Sequence, residues 1–270
     1  MSAPLDRAGF ASRFGRRALF GMVHLEPLPG AALWGGSMEA VMASAVRDAA
    51  AIRDGGASGI VVENFGDRPF GKAAGGVTVA AMTRIVAAII DEVKLPVGVN
   101  VLRNDPAAAL AIAAATGAGF IRVNIHVGAM LTDQGLIEGD ARETLRLRRE
   151  LGSSAAIFAD WMVKHATPIA PYDQEQGARD LRERGLADAV IASGIATGAP
   201  ADPEKLALLR RILPDTPLLL GSGLTAQNAS AFSDLIDGAI VGTAIKKQGI
   251  DSPVDPKRID ELRRALCTGV

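Results

Sequence analysis

The sequence predicts an α/β protein folded as a single (β/α)8 barrel, the TIM-barrel architecture, and three observations predict it. Eight short apolar runs punctuate the chain, at 19–25, 59–64, 97–103, 120–124, 155–160, 188–193, 217–221 and 238–242. The first and last of these starts lie 219 residues apart over seven steps, about 31 residues each, the length of one strand–helix unit. Amphipathic stretches fall between and after them, at 38–54, 78–92, 105–116, 140–151, 174–184, 202–213, 225–234 and 255–266, with the spacing of apolar positions that a helix needs. Eight near-equal units in strict alternation favour a closed barrel over an open doubly wound sheet. A length of 270 residues suits one such domain, since α/β barrels reach ~250 residues undivided.

Each element has a local reason. Residues 1–18 read as an N-terminal arm, and 19–270 as the barrel domain. The runs LFGMVHL, GIVVEN and VGVNVLR are almost continuously apolar, as parallel strands covered on both faces must be. Helix starts carry capping residues: Ser37 before Met38, Asp105-Pro106, Asp202-Pro203, Thr225 and Asp255-Pro256. Glycine-rich helix ends precede the second, fourth, sixth and eighth strands, at Gly55-Gly56, Gly117-Ala118-Gly119, Gly185 and Gly238. Glycine there supplies the left-handed residue that stops a helix, and the recurrence divides the barrel into quarters. No linker interrupts the series.

Composition excludes several classes. The 29 Lys+Arg against 30 Asp+Glu give a net charge of −1, without the basic excess of a nucleic-acid binder. A single cysteine, Cys267, rules out an internal disulfide and a cysteine-based zinc cluster. Arg16-Arg17 precedes an apolar stretch, but His24 and Glu26 interrupt it and no small-residue cleavage site follows. The most apolar run, 107–121, falls short of the ~18 residues that a spanning helix requires. The expectation is a cytoplasmic protein with no stable membrane insertion, and a homo-oligomer is compatible with the fold.

A barrel of this kind places its chemistry at the C-terminal ends of the strands. His24 and Glu26 end the first strand, on one face. Glu63 and Asn64 end the second. Asn100 and Arg103 lie at the third on opposite faces, so one of the two is expected inside. Arg122, Asn124 and His126 share a face at the fourth, and Asp160 ends the fifth. Glu63, Asp160, His126, Arg122, Asn124, His24, Glu26 and Asn100 are therefore the candidate catalytic residues. Carboxylates and imidazoles gathered in a dry cleft suit general acid–base work, and Arg122 with Asn124 suits oxyanion stabilisation. A structural alternative stands beside this: Arg122 pairs with Glu63 or Asp160 as a barrel ion pair.

The seventh and eighth strands run into Leu220-Gly221-Ser222-Gly223 and Val241-Gly242-Thr243. Barrels often hold a phosphate between these two loops, where glycines let backbone N–H groups approach an anion. Gly221, Ser222, Gly223, Gly242 and Thr243 form the expected cup, completed by Thr197 and Gly198 after the sixth strand. Tight-turn chemistry alone is the plain alternative. The glycine-rich segment 66–77 after the second strand reads as a lid or an ordinary surface loop, with Arg68 and Lys72 as its charges. A similar loop spans 128–139. A Schiff-base role for Lys164 and a divalent-cation site from Glu26, Glu63, His126 and Asp160 are weaker alternatives. Gly221-Ser222-Gly223 lacks the third glycine of the dinucleotide fingerprint, so no nicotinamide cofactor is expected.

The segments GMVHLEPLPG, VVENFGDRPF, VGVNVLRND, FIRVNIHVGA, FADWMVKHA and LLGSGLTAQNA together resemble the BtpA family over roughly residues 17–266. The resemblance implies a phosphate-binding (β/α)8 barrel. It also carries the family's association with photosystem I biogenesis, and so the alternative of a non-catalytic metabolite-binding or assembly factor. The residues themselves favour an enzyme acting on a small phosphorylated metabolite, sugar- or nucleoside-derived, by lyase, isomerase or hydrolase chemistry.

Overall fold

The computed structural model describes residues 3–163, 165–193 and 202–267. The chain begins with α1 (Arg7–Phe14), β1 (Ala18–His24), α2 (Met38–Asp54), β2 (Gly59–Glu63) and α3 (Gly76–Val93). Next come β3 (Val97–Asn100), α4 (Pro106–Thr116) and β4 (Phe120–Val123), followed by a hairpin of β5 (Ala129–Thr132) and β6 (Gly135–Glu138). Then follow α5 (Ala141–Glu150), β7 (Ala156–Asp160), the short β8 (Ala166–Pro168), α6 (Gln174–Arg179) and β9 (Ala189–Ala192). The last elements are α7 (Pro203–Ile212), β10 (Leu218–Leu220), β11 (Gly238–Val241) and α8 (Pro256–Cys267). Eight strands close a barrel in the order β1-β11-β10-β9-β7-β4-β3-β2, every pair parallel. The barrel expected from the 31-residue spacing is the fold.

Predicted caps work as such. Ser37 Oγ accepts from Ala40 N–H, Asp105 from Ala108 N–H and Asp202 from Glu204 N–H. The helix expected at 225–234 is reduced to a 3-10 turn over Ala229–Ala231. Asn228 explains this: its Oδ1 accepts the Thr225 N–H at 2.8 Å and its Nδ2 donates to Gly223 O at 2.8 Å. Local side-chain bonds of this kind compete with helix formation. No helix among the described residues is long and apolar enough to cross a membrane.

The segment read as an arm carries α1, which covers the N-terminal end of the barrel. Phe10 and Phe14 are buried and enter a ring cluster with Phe20, Phe120 and Phe158. Phe14 lies 5.7 Å from Phe20, 5.7 Å from Phe120 and 5.4 Å from Phe158 between ring centroids. Arg13 ties the helix to the strand starts, its Nη2 donating to Gly119 O at 2.6 Å and Ser154 O at 3.1 Å. The rings need room. Gly98 faces Phe120 so closely that a Cβ would lie 2.1 Å from a ring carbon. A second, larger apolar layer packs α2, α3, α4 and α8 onto the outside of the strands.

Phe14→Ala removes a ring that touches four others and leaves a cavity in the plug. A loss of ~3–5 kcal/mol is expected, read from the midpoint and slope of urea unfolding.

Candidate functional site

The opposite, C-terminal end of the barrel holds a cavity of about 900 Å³. The parallel register sets His24 beside Glu63 as the last partners of β1 and β2. Their side chains approach to 3.9 Å, His24 Nε2 to Glu63 Oε1, and both line the cavity. On the other side of β1, Gly242 follows β11. A Cβ there would lie 2.7 Å from His24 Cε1, so the imidazole occupies the space that a side chain at 242 would take.

Across the cavity, Arg122 and Asn124 project inward from β4 and meet Asp160 at the end of β7. Asp160 Oδ1 accepts from Arg122 Nε at 3.3 Å and Nη2 at 3.1 Å. Its Oδ2 accepts from Arg122 Nη2 at 3.1 Å and Asn124 Nδ2 at 2.7 Å. Burial works against the Arg122 charge, but the pull of Asp160 and then Glu63 outweighs it, and the guanidinium sits above its ordinary pKa. Asn100, the register partner of Arg122, lies behind this pair. Its Nδ2 donates to Arg122 O at 3.2 Å and Asn124 Oδ1 at 3.1 Å. The Arg122–Asp160 ion pair named as the structural alternative is present.

The walls bring in residues that strand alternation does not reach. Phe65, Arg68 and Phe70 from the loop after β2, Leu102 and Arg103 after β3, and Asp133 at the β5–β6 turn all line the cavity. Of the pair at the third strand, Arg103 lines it and Asn100 supports from behind. β3 ends at Asn100, and the period of two has no force past that point. The segment 66–77 is a fastened wall. Gly66 packs beneath the Leu25–Pro27 backbone, and Asp67 Oδ1 accepts from Leu28 N–H at 2.8 Å. Arg103 and Asn104 N–H donate to Gly71 O and Lys72 O. Arg68 stands over the Phe65 ring at 4.9 Å; Lys72 is outside the cavity lining. The loop at 128–139 is the β5–β6 hairpin.

Gly221, Ser222, Gly223, Gly242 and Thr243 line the same cavity, from the adjacent strands β10 and β11. Gly221 is also sterically required, because a Cβ would meet Ile191 Cγ2 and Ser193 Oγ at 2.5 Å. After Gly242, a 3-10 turn over Thr243–Ile245 begins with no side-chain cap on its first N–H groups. Thr197, Gly198 and Lys164 lie outside the described residues.

Two candidates are placed elsewhere. Glu26 is exposed, past the end of β1. His126 is 1% exposed but turned away from the cavity, with Nε2 2.8 Å from Gly185 O. β4 ends at Val123, so His126 does not share the inward face of Arg122. Burial lowers its pKa, partly countered by the Gly185 carbonyl. Glu26, Glu63, His126 and Asp160 therefore do not converge on a cation, and no group of three or more His, Cys, Asp or Glu among the described residues is arranged to hold one.

The BtpA family model matches residues 15–267. The chain belongs to the BtpA family. It is 46% identical over 254 residues to the photosystem I biogenesis protein BtpA of Synechocystis, covering 93% of this chain and 88% of the relative. It is 48% identical over 250 residues to an uncharacterized protein of Thermococcus kodakarensis, covering 92% and 95%. Among solved structures it is similar to thiamine phosphate pyrophosphorylase from Pyrococcus furiosus, with a TM-score of 0.59, 16% identity and coverage of 94% and 97%. At that identity the likeness shows the barrel fold alone. This member of the BtpA family thus combines the fold with a cavity at one barrel end into which polar strand-end side chains project.

Gly242→Ala is expected to push His24 off Glu63 while the barrel stays folded, at a cost of ~1–3 kcal/mol. The His24 ring signals in NMR spectra would shift, with those of His126 unchanged. The lowered pKa of His126 sets a pH dependence. Unfolded imidazole titrates near 6.5 and the folded one lower, so between them the unfolded chain binds the extra proton. This contribution is complete above the unfolded pKa and falls as pH drops toward the folded value. His126→Gln should flatten the decline of melting temperature as pH falls below about 6.5, relative to wild type.

Proposed function

We propose that this BtpA-family protein is an enzyme that binds a small phosphorylated metabolite and moves a proton on it with Glu63 and His24. The phosphate sits at the turns after β10 and β11. The observation that carries the reading is the His24–Glu63 approach at 3.9 Å inside a cavity whose neighbouring wall is the Gly242–Thr243 turn. A carboxylate and an imidazole so placed can take a proton from one atom and return it to another, as isomerase and lyase chemistry requires. Asp160 has a different role: with four hydrogen bonds accepted, it holds Arg122 for an oxyanion. Uncapped N–H groups and glycine turns suit a phosphate ester.

The test uses a panel of sugar and nucleoside phosphates at millimolar concentration. A ligand at 100 times its Kd stabilises by about 2.7 kcal/mol, a shift visible in thermal unfolding. The ester that protects is then incubated with the protein in D2O, and deuterium uptake is read by mass spectrometry. Wild type should exchange a carbon-bound hydrogen, and Glu63→Gln should lose at least ~100-fold of that rate while keeping thermal protection. Undiminished exchange in Glu63→Gln removes the acid–base assignment, and no protection by any ester removes the phosphate site.

A further inference from the structure

The glycine turns and the arginines lie on opposite sides of the cavity. Round the barrel the order is β1, β11, β10, β9, β7, β4, β3, β2, so the turns after β10 and β11 face the side formed by β4 and β3. Two arginines come from that side, Arg122 on β4 and Arg103 just after β3, and both line the cavity. Arg122 is held on Asp160 by two donor atoms, and its neighbours more than repay its burial. Arg103 is 9% exposed. Burial holds its pKa below the ordinary value even though Asp160, Asp133 and Glu63 pull the other way. The apolar Leu102, Phe70 and Val163 also line the cavity. A guanidinium on the wall of a cavity can meet the anionic group of a ligand held there. Its planar fork matches a carboxylate by two parallel hydrogen bonds. A cavity of about 900 Å³ is large enough for a ligand with two separate ends.

We propose that the substrate is a phosphate ester bearing a carboxylate, with the phosphate at the Gly221–Gly223 and Gly242–Thr243 turns and the carboxylate on Arg103. This rests on the phosphate reading above and adds the group at the far end. Arg103 is then a specificity-determining residue that separates phosphorylated acids from the corresponding phosphorylated alcohols. The reacting carbon lies between the two anchors, within reach of Glu63 and His24.

Matched pairs of esters test this. 6-Phosphogluconate and glucitol 6-phosphate differ in the carboxylate alone, as do the shorter 3-phosphoglycerate and glycerol 3-phosphate. Titration calorimetry on wild type should give the acid at least tenfold tighter binding in one pair. Arg103→Met should erase that preference and leave the affinity for the alcohol unchanged. Arg103→Lys, which keeps the charge and loses the fork, should retain part of it, and it guards against a folding defect in the methionine variant. Equal affinity for both members of each pair in wild type, or a preference that survives in Arg103→Met, overturns the proposal and leaves the phosphate site standing. Failure of all four esters to bind, together with failure of the wider panel to protect against unfolding, overturns both.

Discussion

Two opposite charges taken out of water at the mouth of a barrel cost on the order of several kcal/mol each unless their remaining hydrogen-bonding capacity is filled. The Arg122–Asp160 pair meets that condition through its neighbours. Asn124 takes the lone pair that Arg122 leaves on Asp160 Oδ2, and Asn100 orients Asn124 from behind. Four residues at the ends of β3, β4 and β7 are thereby fixed relative to one another, and the strand register pairs Asn100 with Arg122. Asp160 is occupied in this way, and the other carboxylate, Glu63, stands beside His24 three strands along the barrel wall; the proton transfer proposed above is assigned there.

The same strands serve the two ends of the barrel differently. At the N-terminal end, Phe10 and Phe14 of α1 meet Phe20, Phe120 and Phe158 and fill the interior. That packing is dry and close, and glycine at 98 is the concession that allows it. At the C-terminal end the strand interiors turn polar. A barrel filled with rings at the bottom has only one open end for chemistry, and the parallel direction of all eight strands decides which. Few aromatics are needed because they are concentrated: five of the eight phenylalanines sit in this plug.

The barrel was legible because it rests on periodicity, which survives in sequence. The strand-end candidates His24, Glu63, Arg122, Asn124 and Asp160 were legible for the same reason, being the polar residues inside or at the ends of apolar runs. Alternation fails where the strand stops. His126 follows Arg122 by an even number of residues, yet β4 ends at Val123 and the ring points toward Gly185. Glu26 fails likewise beyond β1. Phe65, Phe70 and Asp133 were hidden because loops place them, through tertiary hydrogen bonds such as Asp67 to Leu28 that no local pattern announces. The plug was hidden too, since α1 reads as a weakly apolar arm until its two phenylalanines are seen against the three in the strands.

Glycine has more than one meaning in this chain, and the difference bears on function. Gly221 and Gly242 were singled out as residues that let a backbone approach an anion. The contacts give each a second reason: Ile191 and Ser193 crowd Gly221, and His24 crowds Gly242. These reasons are not rivals. At 242 they coincide, because the absent side chain both seats the imidazole against Glu63 and leaves the Thr243 turn uncapped. One missing Cβ therefore couples the acid–base pair to the turn proposed to hold the ester. A ligand bound there would lie against His24 without any movement of the barrel, so binding and proton transfer would be joined by packing alone.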